Sequence, residues 1–217
     1  MQIKLDLKIF LFAVIFIFTG QIELYIVFMF FTLIHELGHM LVGILLGLKP
    51  QKLSIMPVGF SVTFVANLNK NGKMKNIIKK LIIAIAGPII NIIIAVILYY
   101  NQEVEFFIIS NETMVYTNLL IALFNMIPIY PLDGGRIAKC ILALLYKQKQ
   151  VYMYIHLISK ISICILTIMC SIWILYIQNI ALLIALAYLW YLVIKENIYY
   201  QNKMRLYEAY EKLGQKE

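Results

Sequence analysis

Six apolar runs, at roughly residues 8–20, 22–48, 77–100, 115–146, 155–177 and 179–198, leave this chain little choice of surroundings. About 20 apolar residues in a helix cross the hydrocarbon core of a bilayer, and six such runs take up most of the 217 residues. Charged residues make up only 14% of the chain, against about a quarter in soluble domains, and the mean hydropathy is +0.86. The expected architecture is therefore an all-α polytopic membrane protein with about six transmembrane helices. The first run is short and follows Lys4 and Lys8, but no small-x-small cleavage site comes after it, so it reads as an uncleaved span. The fourth is interrupted by Pro128, Pro131, Gly134 and Gly135 and reads as a broken helix. Between the second and third runs, Lys52–Asn67 is rich in β-branched residues and punctuated by Pro57 and Gly59. This predicts a small β-hairpin over about 52–67. Its open edges would lack partners in lipid, so it must lie at the surface or against protein or a wet cavity.

The placement of charge orients the spans. With the N-terminus in the cytoplasm and the spans alternating, the external connections (about 20–23, 101–114 and 177–179) contain no Lys or Arg, and the middle one carries Glu103, Glu105 and Glu112. The lysines between Lys49 and Lys80, Lys147, Lys149 and the basic tail then fall inside, as the positive-inside rule requires. Both termini are thus expected in the cytoplasm, and the net charge of +8 serves anionic lipid rather than nucleic acid. One intramembrane domain, 1–200, and a cytoplasmic tail, 201–217, are expected. Cys140, Cys164 and Cys170 lack metal-ligand spacing and read as reduced packing residues.

Chemistry is concentrated in His35-Glu36-Leu37-Gly38-His39, inside the second run. Positions i and i+4 share a helix face, so His35 and His39 can hold one metal ion. Glu36 sits about a quarter turn away, within reach of a water at that ion. This is the H-E-x-x-H arrangement of zinc peptidases, in which a carboxylate serves as general base. Three polar residues in an apolar helix are costly, at roughly 2.5–3.5 kcal/mol for a charge at the bilayer centre. A packing cluster of hydrogen-bonded polar residues is the plainer alternative.

A catalytic zinc site usually takes three protein ligands. Asp133, the one acid in the stretch Asn125–Arg136, is the candidate third ligand, the alternative being a carboxylate paired with Arg136 or Lys139. Asn125 could orient a substrate carbonyl, stabilise an oxyanion, or cap the broken helix. In the third run, Gly87 and Pro88 allow close helix approach, and Asn91 reads first as a packing residue that hydrogen-bonds across the bundle. His156 reads as an interface residue.

Together HELGH, AGPIIN and NMIPIYPLDGG, in this order, resemble the site-2 protease family (M50) of intramembrane metalloproteases, and most closely its sporulation branch, typified by stage IV sporulation protein FB. The resemblance covers roughly residues 3–210. It implies Zn2+ held by His35, His39 and Asp133, Glu36 as general base, Asn125 and Pro131 near the substrate, and a hairpin edge that pairs with an extended substrate. It also implies a membrane-associated substrate, with the sigma-K precursor typical of the branch, and inhibitory membrane partners of the sporulation FA and bypass-of-forespore A type. Members of the branch often carry a C-terminal CBS domain; none is expected within these 217 residues, whether it is naturally absent or the sequence is truncated, and the loop between the third and fourth runs is expected to be too short for a PDZ domain. Two other readings stay open: a relative acting on an anti-sigma factor or remnant signal peptide, and a non-catalytic scaffold or transporter. The single HExxH and single DGG break, with no second copy, speak against the transporter.

Overall fold

The structure, a computed structural model, describes residues 2–57, 59–65, 72–101, 109–177 and 180–214. These form β1 (Gln2–Leu5), α1 (Lys8–Phe18), α2 (Ile22–Leu45), β2 (Pro50–Met56), β3 (Gly59–Phe64), α3 (Lys73–Tyr100), α4 (Asn111–Met126), α5 (Asp133–Leu145), α6 (Gln148–Ile177) and α7 (Ile180–Gly214). The chain divides into two compact units, Met1–Ile127 and Pro128–Glu217.

In the first unit, α2, α3 and α4 pack pairwise on one another. Val27 and Phe31 from α2 meet Met114 and Ile121 from α4 in a buried core, each pair spaced as one helix face requires. Polar side chains secure the helix ends. Lys79 of α3 donates from Nζ to the Leu46 carbonyl at 2.8 Å, a cation on the negative end of α2. Asn111 donates to the carbonyls of Leu98 (2.8 Å) and Asn101 (2.9 Å), tying the start of α4 to the end of α3.

The hairpin expectation needs one correction, because the sheet has three strands in the order β1-β2-β3. β2 and β3 run antiparallel, from Lys52 opposite Thr63 to Met56 opposite Gly59, and residues 2–5 join in parallel on the far side of β2. Four residues before a longer apolar run carry too little alternation to announce a strand. Residues 58, 66 and 67 of the expected hairpin lie outside the described residues. β3 packs on α2, and Tyr25 of α2 donates from its hydroxyl to the Pro57 carbonyl at 3.0 Å, fixing the turn.

Among the described residues three helices are long and apolar enough to cross a membrane: Ile22–Leu45, Met74–Tyr100 and Gln148–Ser171. On α3 the exposed residues Ile89, Ile92, Ile93, Val96 and Ile97 form an apolar face suited to lipid rather than water. The run 115–146 is two helices, α4 and α5, with Ile127–Leu132 non-helical between them. Glu103 and Glu105 of the expected external loop and residues 178–179 lie outside the described residues, and α7 continues unbroken past residue 200.

In the second unit, α6 packs on both α5 and α7, around the fully buried Ile155 and Ile163. Trp190 of α7 donates to Thr167 of α6 at 2.9 Å. The segment leading into α5 is held tightly. Tyr130 donates its backbone N–H to Ser159 Oγ at 3.0 Å. The Lys139 ammonium lies 4.6 Å from the Tyr130 ring centre and 5.1 Å from those of Tyr152 and Tyr200, and it donates to the Tyr200 hydroxyl at 3.0 Å. Cation–π contacts of this kind gain strength where water is excluded. A Cβ at Gly135 would collide with the backbone of Ile129 and Tyr130, so the second glycine of the DGG motif lets this segment fold against the first turn of α5.

Candidate metal centre and active site

His35, Glu36 and His39 lie on α2 and are all buried, with relative exposures of 4%, 5% and 2%. Burial of this degree obliges each polar atom to find a partner, and α3 supplies those of the two imidazole Nδ1 atoms. His35 Nδ1 pairs with Asn91 Oδ1 at 2.8 Å, and His39 Nδ1 pairs with the Ile83 backbone carbonyl at 2.6 Å. A carbonyl oxygen only accepts, so both Nδ1 atoms carry the proton in this arrangement. Both Nε2 atoms are then acceptors, and they converge at 3.1 Å. Two acceptors placed face to face repel unless a cation lies between them. Two nitrogens bound to one tetrahedral zinc at 2.0–2.1 Å stand about 3.3 Å apart, so the imidazole pair fits that ion.

The room for the two rings comes from Gly87. A Cβ there would overlap the His39 ring and stand 2.6 Å from His35 Nε2. The glycine of AGPIIN thus does more than permit close helix approach, because its missing side chain is the space the imidazoles occupy. Asn91 also departs from its packing role. It is the orienting partner of a candidate ligand, the kind of contact that fixes tautomer and ring direction at metal sites.

The Val62 N–H of β3 donates to Glu36 Oε1. The sheet therefore anchors the carboxylate, and β3 is an edge strand of that sheet. Sequence reasoning missed this contact, and it missed the Ile83 carbonyl, because backbone groups carry no residue letter. It also missed Asn118, whose Oδ1 accepts from Asn91 Nδ2 at 3.0 Å. As one of two asparagines, with Asn125, in the apolar run of α4, it offered only its polarity as a signal.

Asn125 lies on α4 and donates from Nδ2 to the Ile121 carbonyl at 3.0 Å, within its own helix. Asp133 is in the first turn of α5, is 4% exposed, and accepts from Arg136 Nη1 at 3.3 Å. The pairing with Arg136 expected as one alternative is present, while Lys139 is engaged by the tyrosines. A carboxylate also suits the positive end of a helix. Pro131 precedes it in the held segment, two residues before α5. His156 lies on α6 and belongs to no group of metal-ligating side chains among the described residues.

Residues 23–110 and 105–169 match the sequence profile of Peptidase family M50. The chain is 33% identical over 127 residues to zinc metalloprotease MJ0392 of Methanocaldococcus jannaschii, covering 57% of this chain and 35% of that protein. It is 26% identical over 163 residues to stage IV sporulation protein FB of Bacillus subtilis, covering 73% of this chain and 52% of that one. The chain thus spans about a third and about half the length of these two curated relatives. Among solved structures it is similar to a site-2 protease from Methanocaldococcus jannaschii, with a TM-score of 0.69 and 25% identity over 89% of each chain.

Proposed function

The chain belongs to peptidase family M50, and from that premise we propose that it is an intramembrane zinc metalloendopeptidase. The observation that carries this reading is the convergence of the His35 and His39 Nε2 atoms at 3.1 Å with both Nδ1 atoms committed elsewhere. Asp133 completes the ligand set. Its support is the buried carboxylate in the DGG motif and the three-ligand habit of catalytic zinc. When bound, zinc would acidify water and polarise the scissile carbonyl. Glu36, held in place by the Val62 N–H, serves as the general base and returns its proton to the leaving amine. Asn125 and Pro131 lie near the substrate. The edge of β3 receives an extended substrate segment, since strand addition supplies main-chain hydrogen bonds without demanding a sequence.

The polypeptide crosses the membrane about six times with both termini in the cytoplasm, and it cleaves a membrane-associated precursor near the cytoplasmic face. The similarity to stage IV sporulation protein FB favours the sigma-K precursor as substrate, in the mother-cell-derived membrane around the forespore. Membrane partners of the sporulation FA and bypass-of-forespore A type would hold the enzyme inactive. Co-expression with a sigma-K precursor tests the reading. Shortening of the precursor is the expected result. An intact precursor beside stably inserted enzyme would remove that substrate and leave an anti-sigma factor or a remnant signal peptide as the next to try.

Asp133→Ala separates ligand from bystander. Zinc content and activity should fall together, because the remaining pair of imidazoles holds the ion far less tightly. Unchanged zinc content in this variant would remove Asp133 from the ligand set.

A further inference from the structure

We infer that Asn118, on α4, is a positioning residue for the metal centre, acting through Asn91 to set the proton location on His35. The inference rests on the zinc reading above. The Met114 carbonyl can only accept, and Asn118 Nδ2 donates to it at 2.9 Å. That bond fixes which way the Asn118 amide points, so its Oδ1 faces Asn91. An oxygen there calls for a donor, and Asn91 answers with Nδ2 at 3.0 Å. Asn91 is then forced to present Oδ1 to His35, and His35 Nδ1 must carry the hydrogen of the 2.8 Å bond. The ligand atom left facing His39 is Nε2.

Both asparagines are fully buried, so no water competes for these bonds and each link is decided by the one before it. The amide of Asn91 alone carries no such information. Turned over, it would offer its NH2 to His35 and favour the opposite tautomer, with the proton on the atom that should bind the metal. Asn118 removes that choice.

The test compares zinc affinity of the detergent-solubilised full chain with that of Asn118→Leu and of the double variant Asn91→Asp/Asn118→Leu. The single variant keeps volume and loses the acceptor, and its zinc Kd should rise roughly 10–100-fold, as when orienting partners of metal ligands are lost. The double variant should recover most of the loss, because a carboxylate offers an acceptor oxygen whichever way it turns. A role of Asn118 in packing alone would not be rescued this way. Wild-type affinity in Asn118→Leu, or failure of Asn91→Asp to rescue it, overturns the inference. Absence of zinc binding by the wild type would instead overturn the reading beneath it. A measurement that needs no variant guards against misfolding. The 15N shifts of the His35 ring in metal-free wild-type protein should show the Nδ1-protonated tautomer, and the Nε2-protonated form would refute the relay.

Discussion

Glu36→Gln is expected to silence proteolysis while leaving zinc in place. Glutamine has the shape of glutamate, and its Oε1 can still accept from the Val62 N–H, so the contact between α2 and β3 persists. What disappears is the proton acceptor. Loss of a general base costs about 10²–10⁴-fold in rate, which in a co-expression assay would read as no product. Metal analysis of the purified variant separates this from collapse of the site, since the His35 and His39 imidazoles and their partners on α3 are untouched. Zinc lost together with activity would mean that Glu36 helps to hold the ion, and another group would have to take the proton.

Gly87→Ala should do the reverse and remove the metal while keeping every ligand. The added methyl group would stand 2.6 Å from His35 Nε2 and overlap the His39 ring. The rings cannot retreat without breaking the Asn91 and Ile83 hydrogen bonds that aim them. Nor can α3 back away, because those same bonds join it to α2. Zinc affinity should fall by more than the roughly 10–100-fold typical of losing one orienting partner, with activity following. A folded Gly87→Ala protein that binds zinc as tightly as the wild type would show slack between the two helices that the structure does not display.

The histidine pair and Glu36 were legible because helical spacing alone puts i and i+4 on one face, and because polar residues stand out in an apolar run. Asp133 was conspicuous for the same second reason. Asn91 was harder. Sequence marks it as polar, but only the packing of α3 on α2 places it at His35, and periodicity does not say which helices are neighbours. Asn118 was lost among the residues of α4 for want of a motif. The break in the fourth apolar run was foreseen from its prolines and glycines. It turned out to separate two helices, with Tyr130, Ser159 and Lys139 holding the segment between. β1 was unreadable because four exposed residues form a strand only when β2 is there to pair with them.

The two imidazoles are aimed by unlike means, one by a side chain and the other by the main chain at Ile83. A genetic screen for inactive variants would therefore draw an uneven map of α3. Hits should gather at 87, where any side chain intrudes, and at 91, where few residues can offer an acceptor oxygen. Position 83 should stay quiet under exchange for leucine or valine, since every residue brings the same carbonyl. A site can lean on an atom that mutation cannot reach, and a tolerant position is then no sign of an idle one.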